Sequence, residues 1–385
     1  MRGNRFAGRR GRIRLGMVGG GEGAFIGAVH RITARLDDYY ELVAGAMSSN
    51  PGRAARSAAA LALDPARSYA DFAVMARAEA ARPDGIEAVS IVTPNHVHSP
   101  AIRAFLDAGI HVICDKPLTT TLEEARALRD VALGSGLVFA LTHTYTGYPM
   151  VRQARAMVRK GELGDIRVVQ AEYAQDWLAE KLEEGQAEWR SDPARSGAGG
   201  CIADIGTHAF NLADFVAGLE FEEICAELTA FVPGRRLDDN AQIMLRYSNG
   251  ARGCLWSSQV ATGNENEVRL RVYGSKGGHE WTQCEANQLV WSPLGQNRQI
   301  ITRNGSGADD ANRRASRVPA GHPEGYLEAF GNIYCEVAAA IVAARGGISP
   351  PADTLFPTVD DGVKGLAFID AAIRSSTAGC IWTTI

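Results

Sequence analysis

Residues 13–18, IRLGMV, are a short apolar run that leads directly into Gly19-Gly20-Gly21-Glu22-Gly23, and an amphipathic stretch follows over 25–36. Strand, tight turn and helix with nothing between them leave few folds open. A second run, 41–47, closes on Ser48-Ser49-Asn50-Pro51, where Ser and Asn stop a strand and Pro51 starts a helix. Further apolar runs at 88–92, 111–114 and 137–141 are separated by alanine-rich helical segments. This alternation predicts a parallel sheet covered by helices on both faces. Ligands of such sheets gather beyond the carboxyl ends of the strands, here residues 19–23, 48–50, 93–98, 115–117 and 142–145.

The glycine loop, GGGEGAFIG, departs from a regular G-x-G-x-x-G spacing, because Gly19, Gly21 and Gly27 bracket a longer turn. Its setting between a strand and a helix still suits a pyrophosphate, held by backbone N–H groups and the helix amino terminus. Gly19, Gly20, Gly21, Phe25 and Ile26 are therefore candidate dinucleotide contacts. The acid that usually binds the ribose 2′-hydroxyl is missing from the second strand, which ends in Ser48. Ser48, Ser49 and Arg53 leave NAD and NADP both open. Thr93, Pro94 and Asn95 are expected at the nicotinamide ribose, with His98 fixing their loop. The run GIHVICDKPL carries Asp115 and Lys116 to a strand end, and a lysine there sits at a mouth rather than in a core.

A chain of 385 residues is too long for one ordinary core. A basic arm at 1–11, read as disordered, precedes a dinucleotide-binding domain at 12–143 and a second domain at 144–385. From Ile166 the pattern changes to β-rich runs at 166–175, 223–232, 241–248, 251–260 and 267–274, and Asn249-Gly250 marks a hairpin. A largely antiparallel sheet is expected, so the fold class is α/β with two different sheets. Between these runs lies DIGTHAFNLADFVA, residues 204–217, where helical spacing puts Asp204, His208, Asn211 and Phe215 on one face. The formal net charge of −4 gives no sign of nucleic acid or anionic membrane as partner, and no run of about 18 apolar residues is apparent. Seven scattered cysteines without a C-x-x-C pair suggest neither disulfides nor zinc, and a reducing cytoplasm is the expected location.

Four segments, GGGxxxxIGxxH, TPNxxH, GIHVICDKPL and WRxDPxxSGxGxxxDIGTH, resemble in that order the glucose-fructose oxidoreductase, inositol dehydrogenase and MocA family. The resemblance covers roughly residues 12–335. It implies a Rossmann domain followed by an α/β domain with a large open, mostly antiparallel sheet, often used to form homo-oligomers such as dimers or tetramers. It also implies oxidation or reduction of one carbinol of a sugar, inositol or related polyol with NAD or NADP, and the likeness to inositol dehydrogenase-like members tilts the cofactor to NAD. By similarity, Lys116, Asp204 and His208 are the catalytic group. Asp115 stands where glutamate is commoner, and Ala198 interrupts a usually all-glycine run. Hydride leaves a carbinol only as its proton is taken, so a base and an oxygen-steadying donor fit the reaction. His208 is the expected base and Lys116 the donor, with Asp204 orienting the imidazole. Tyr145, Gln175, Asp176, Trp177, Arg190 and His322 are expected with them around the sugar. An NAD-dependent glycoside hydrolase, or a metal-dependent hydrolase built on Asp204, His208 and His143, are the alternative readings of the same residues.

Overall fold

The computed structural model describes residues 11–181, 189–190 and 192–385, so the basic arm lies, apart from Gly11, outside the described residues. The first sheet contains β1 (Ile13–Gly19), β2 (Tyr40–Ala46), β3 (Ala88–Val92), β4 (His111–Cys114) and β5 (Phe139–Leu141). Its order is β2-β1-β3-β4-β5, and every pair is parallel. Ser68 adds one parallel bridge to Gly45 at the outer edge, the trace of a further strand. With that trace the order matches the doubly wound dinucleotide fold, whose chain order reverses between β1 and β3. β3 is buried along its whole length, as a strand covered on both faces must be.

The connecting helices are α1 (Phe25–Leu36), α2 (Pro51–Ala60), α3 (Phe72–Ala80), α4 (His98–Asp107) and α5 (Leu122–Ser135). Three start on side-chain caps that accept a first-turn N–H, namely Asn50, Asp71 and Thr121. α1 has none.

After α6 (Pro149–Arg159) comes β6 (Ile166–Ala174), then the short α7 (Pro193–Ser196) and α8 (Thr207–Ala217). β7 (Phe221–Thr229), β8 (Asn240–Tyr247), β9 (Arg252–Ser258), β10 (Glu267–Gly274), β11 (Gly277–Thr282), β12 (Gln288–Pro293) and β13 (Gln299–Thr302) follow. With the terminal β14 (Thr383–Thr384) they form a nine-stranded sheet, ordered β13-β12-β11-β10-β6-β9-β8-β7-β14. All its pairs are antiparallel except β6 with β9. Gly250 turns the β8–β9 hairpin at φ +86°. One face buries Val268, Leu270 and Val272 under helices, while Val168, Met244 and Tyr273 stay exposed on the other. β11 to β14 are absent from the strands expected from sequence, being short and broken by glycine and polar residues.

Three helices lie between β13 and β14: α9 (Asp310–Ala315), α10 (Tyr326–Arg345) and α11 (Val359–Thr377). α10 belongs by sequence to the second half, yet it packs on the first sheet. Its Phe330, Ile333, Val337 and Ile341 share a core with Ile13, Leu15, Ala88 and Ile113. By length and mean hydropathy this helix could cross a membrane, but it holds no unbroken run of about 18 apolar residues and 67% of its apolar window is buried inside the fold. Glu328, Glu336 and Arg345 interrupt the run in the sequence, and in the fold its apolar side is spent on the sheet. Tyr334 fixes the contact: its hydroxyl meets His30 Nδ1 at 2.7 Å and Ser90 Oγ at 2.6 Å, and its carbonyl accepts from Tyr40 Oη at 2.9 Å. Tyr334→Phe leaves the buried His30 and Ser90 groups without that partner and is expected to cost about 1–3 kcal/mol, read as a lower urea midpoint.

Candidate active site

The loop beyond β1 is shaped by two left-handed glycines, Gly19 at φ +76° and Gly20 at φ +68°. A Cβ on Gly20 would lie 2.9 Å from Gly27 Cα, and one on Gly27 would lie 2.3 Å from the Gly20 carbonyl. The close approach of α1 to the loop therefore falls on Gly20 and Gly27, not on the evenly spaced set that a regular fingerprint would give. α1 then opens with no side-chain cap and no acid in its first turn, so its leading N–H groups are left to an anion. A dinucleotide pyrophosphate, which only accepts hydrogen bonds, fits those unspent donors. Gly19 abuts Thr93, whose Oγ1 is buried without a partner among the described residues. At the end of β2, Ser48 Oγ accepts from Asn50 N at 3.1 Å and Asn50 Oδ1 from Arg53 N at 3.0 Å, with Ser49 and Arg53 exposed.

Two candidate cofactor contacts are turned inward. His98 is buried, with Nδ1 2.8 Å from the Pro117 carbonyl and Nε2 2.9 Å from that of Thr93. It ties the loop beyond β3, where Pro94 also lies, to the one beyond β4. Asn95 donates from Nδ2 to the Ser196 carbonyl at 2.9 Å and so ties the same loop to α7.

β4 delivers Asp115 and Lys116 to a cavity of about 420 Å³ between the two sheets' loops. Lys116 Nζ donates to Asp204 Oδ1 at 2.9 Å and also to the Asp204 backbone carbonyl. The second carboxylate oxygen, Oδ2, accepts from Gln259 Nε2 at 2.8 Å and forms an ion pair with Arg190 at 3.2 Å. Burial drives the Asp204 carboxyl upward, but the Lys116 and Arg190 charges outweigh it and hold the group well below the usual carboxylate range. Asp204 does not share a continuous α-helix with His208. It sits in a π-helical turn, Ile202–Gly206, that runs into α8. Asp238 holds the entrance to that turn, accepting from Gly200 N at 2.6 Å and Ile202 N at 2.8 Å. The expected single face also ends early, since Phe215 lies under the Arg155 guanidinium at 4.4 Å.

His208 is orientated by rings. His143 and Tyr145 meet it edge-on, at centroid distances of 5.3 Å and 5.1 Å, and Tyr173 packs obliquely at 6.1 Å. Among the described residues its Nδ1 is buried with no hydrogen-bond partner, so the expected orienting bond to Asp204 is not made. Burial, and then the nearby Lys116 charge, push the imidazole well below its usual range, and the same two causes bring His143 to about 3.

The remaining wall is a chain of hydrogen bonds. Tyr145 Oη and Tyr173 Oη lie 2.7 Å apart, Tyr173 donates to Asn266 Oδ1 at 2.8 Å, and Asn266 Nδ2 donates to Gln283 Oε1 at 2.9 Å. Trp177 Nε1 donates to Gln175 Oε1 at 2.9 Å. Of the residues expected here, Phe25, Ile26, Asp115, Lys116, Tyr145, Gln175, Trp177, Arg190, Asp204 and His208 line the cavity. Asp176 and His322 do not. Asp176 Oδ2 instead accepts from Gly263 N at 2.9 Å, and His322 is exposed on the turn before α10. Thr144, in the expected strand-end loop 142–145, also lines the cavity, and Glu265, Asn266, Gln283 and Phe330 line it without having been singled out in the sequence. Among the described residues, no group of three or more His, Cys, Asp or Glu is placed to hold a metal ion.

Residues 13–143 match the oxidoreductase family with an NAD-binding Rossmann fold, and residues 151–280 match the GFO/IDH/MocA C-terminal domain. The chain belongs to the GFO/IDH/MocA oxidoreductase family. It is similar to an oxidoreductase from Sinorhizobium meliloti, at 54% identity over 97% of this chain and 99% of that one, with a TM-score of 0.89. An inositol dehydrogenase homolog from Azotobacter vinelandii, solved with NADH and myo-inositol, shows 36% identity over 97% and 98% of the two chains and a TM-score of 0.92. Levoglucosan dehydrogenase of Pseudarthrobacter phenanthrenivorans is 28% identical over 97% and 98%. This GFO/IDH/MocA member is thus an NAD-dependent oxidoreductase acting on CH–OH groups, with its NAD-binding Rossmann fold at residues 13–143.

The buried histidines set an acid limit on the fold. Burial lowers His30 to about 4 and His143 to about 3, and His208 also lies low. An unfolded histidine titrates near ~6.5, so between these values the unfolded chain binds more protons. Stability is expected to be complete above about pH 6.5 and to fall as acid is added, by up to ~1.4 kcal/mol per pH unit for each histidine. Urea unfolding across a pH series checks this, with His143→Phe removing one histidine's share of the slope.

Proposed function

We propose that the protein oxidises one secondary hydroxyl of a cyclic polyol or sugar, such as scyllo- or myo-inositol or an aldose pyranose, to the ketone or lactone. One observation carries the reading: Lys116 from the first sheet and His208 from the helix under the second line the same cavity, with Asp204 beside them. The myo-inositol named with the Azotobacter vinelandii homolog supports this substrate class.

His208 accepts the hydroxyl proton; its enclosure keeps it uncharged near neutral pH, with a lone pair to receive that proton. Lys116 has three N–H donors, of which two rest on Asp204, and the third is left for the substrate oxygen. Asp204 holds the ammonium in that position, and Arg190 and Gln259 hold Asp204. Bound NAD supplies the hydride acceptor. Tyr145, Gln175, Trp177 and Asn266 offer both donors and acceptors to the other ring hydroxyls. NADP is admitted only if the exposed Arg53 accepts a 2′-phosphate.

The open face of the nine-stranded sheet, with Val168, Met244 and Tyr273 exposed, supports a homo-oligomer, a dimer or tetramer that light scattering would size. Free thiols at all seven cysteines favour a cytoplasmic site of action.

The deciding experiment follows NADH appearance with a panel of inositols, hexoses and glycosides. Stoichiometric NADH supports the dehydrogenase reading, and glycoside cleavage without net NADH supports the hydrolase alternative. Lys116→Ala and His208→Asn are each expected to lower turnover by about 10²–10⁴-fold. NADH affinity, read by its fluorescence, should be retained in both; near-normal turnover in both variants removes the assignment.

A further inference from the structure

We infer that Glu265, on the loop between β9 and β10, is a specificity-determining residue: it makes the cavity mouth accept a ring substituent that donates hydrogen bonds, hydroxyl or amine, and turn away a carboxylate. The inference rests on the polyol reading above and concerns a residue that carries no role in it.

The charged side chains lining the cavity are Asp115, Lys116, Arg190, Asp204 and Glu265. All but one are engaged. Lys116 and Arg190 both rest on Asp204, and Asp115 Oδ1 accepts from Lys116 N at 2.9 Å and Thr142 Oγ1 at 3.0 Å. Among the described residues Glu265 has no hydrogen-bond or ion-pair partner. Its loop is nonetheless pinned on both sides. Asp176 accepts from Gly263 N at 2.9 Å, and Asn264 Nδ2 donates to the Ala261 carbonyl at 3.0 Å. On the other side, Asn266 is bound into the cavity wall by Tyr173 and Gln283. The loop thus presents a carboxylate at the rim with its acceptor oxygens unspent.

An ionised carboxylate only accepts hydrogen bonds, and it does so most strongly from charged donors. A second carboxylate on the ligand would face it, and among the described residues both cations lining the cavity, Lys116 and Arg190, already have their charge offset by Asp204. At the partly solvated rim, like-charge repulsion is worth about a tenfold difference in affinity.

The test measures ligand affinity by the fluorescence of NADH bound to the full-length enzyme. The ligands are D-glucose, D-glucosamine and D-glucuronate as one set, and myo-inositol and quinate as a cyclohexane set. In the wild type the carboxylate member of whichever set binds is expected about tenfold weaker than its neutral parent, and glucosamine at least as tight as glucose. In Glu265→Gln, which keeps the shape and one acceptor oxygen but removes the charge, the carboxylate gap should shrink to within about threefold, with the neutral ligand changed by less than that. An equal gap in wild type and variant, or tighter carboxylate binding by the wild type, overturns the inference alone. No binding by either neutral ring overturns the polyol reading and this inference with it.

Discussion

A half-buried carboxylate shared by two cations from different parts of the chain is the interaction on which the site depends. Asp204 takes Lys116 on one oxygen and Arg190 with Gln259 on the other. Burial alone would drive such a group toward its neutral form, and the two cations reverse that. Removing one partner of a buried pair leaves an uncompensated charge, so the three groups stand or fall together. Because Lys116 ends a strand of the first sheet and Asp204 a turn under the second, the same contact joins the halves of the molecule. His98 and Asn95 reinforce the seam by tying the loop beyond β3 to Pro117 and to Ser196.

The imidazole beside this cluster is governed by the opposite principle. His208 has no carboxylate on its inner nitrogen and is located by the edges of His143 and Tyr145. Enclosure and the adjacent ammonium both disfavour its charged form. Two groups a few residues apart thus hold opposite states, an ionised acid and an uncharged base, because one is paired and the other is enclosed among rings. The π-helical turn between Ile202 and Gly206 separates these environments.

Much of the first sheet was legible because its strands are short apolar runs ending in turn residues, a signal that depends only on neighbours in the chain. The hairpin at Asn249-Gly250 was legible for the same reason. Lys116, Asp204 and His208 were found through motifs, and all three reach one cavity. Asp176 was misplaced because a carboxylate beside Gln175 and Trp177 reads as a sugar contact, whereas the alternation of side chains past the end of β6 turns it to Gly263. The short strands β11 to β14 lack the apolar alternation that marks a strand, and only pairing with a neighbour defines them.

Composition, period and turn chemistry are local quantities, and they determined a doubly wound sheet with a glycine-turned nucleotide site followed by a β-rich half. The tertiary structure alone decided which distant residues share a surface. It brought α10 back onto the first sheet, where Tyr334 bonds His30 and Ser90, residues far from it in sequence. It placed Asn266 and Gln283 on the cavity wall, and it spent Arg190 on Asp204 while leaving Glu265 at the rim. Such pairings arise from close packing among elements far apart in the chain, a cooperative outcome that no window of neighbouring residues encodes.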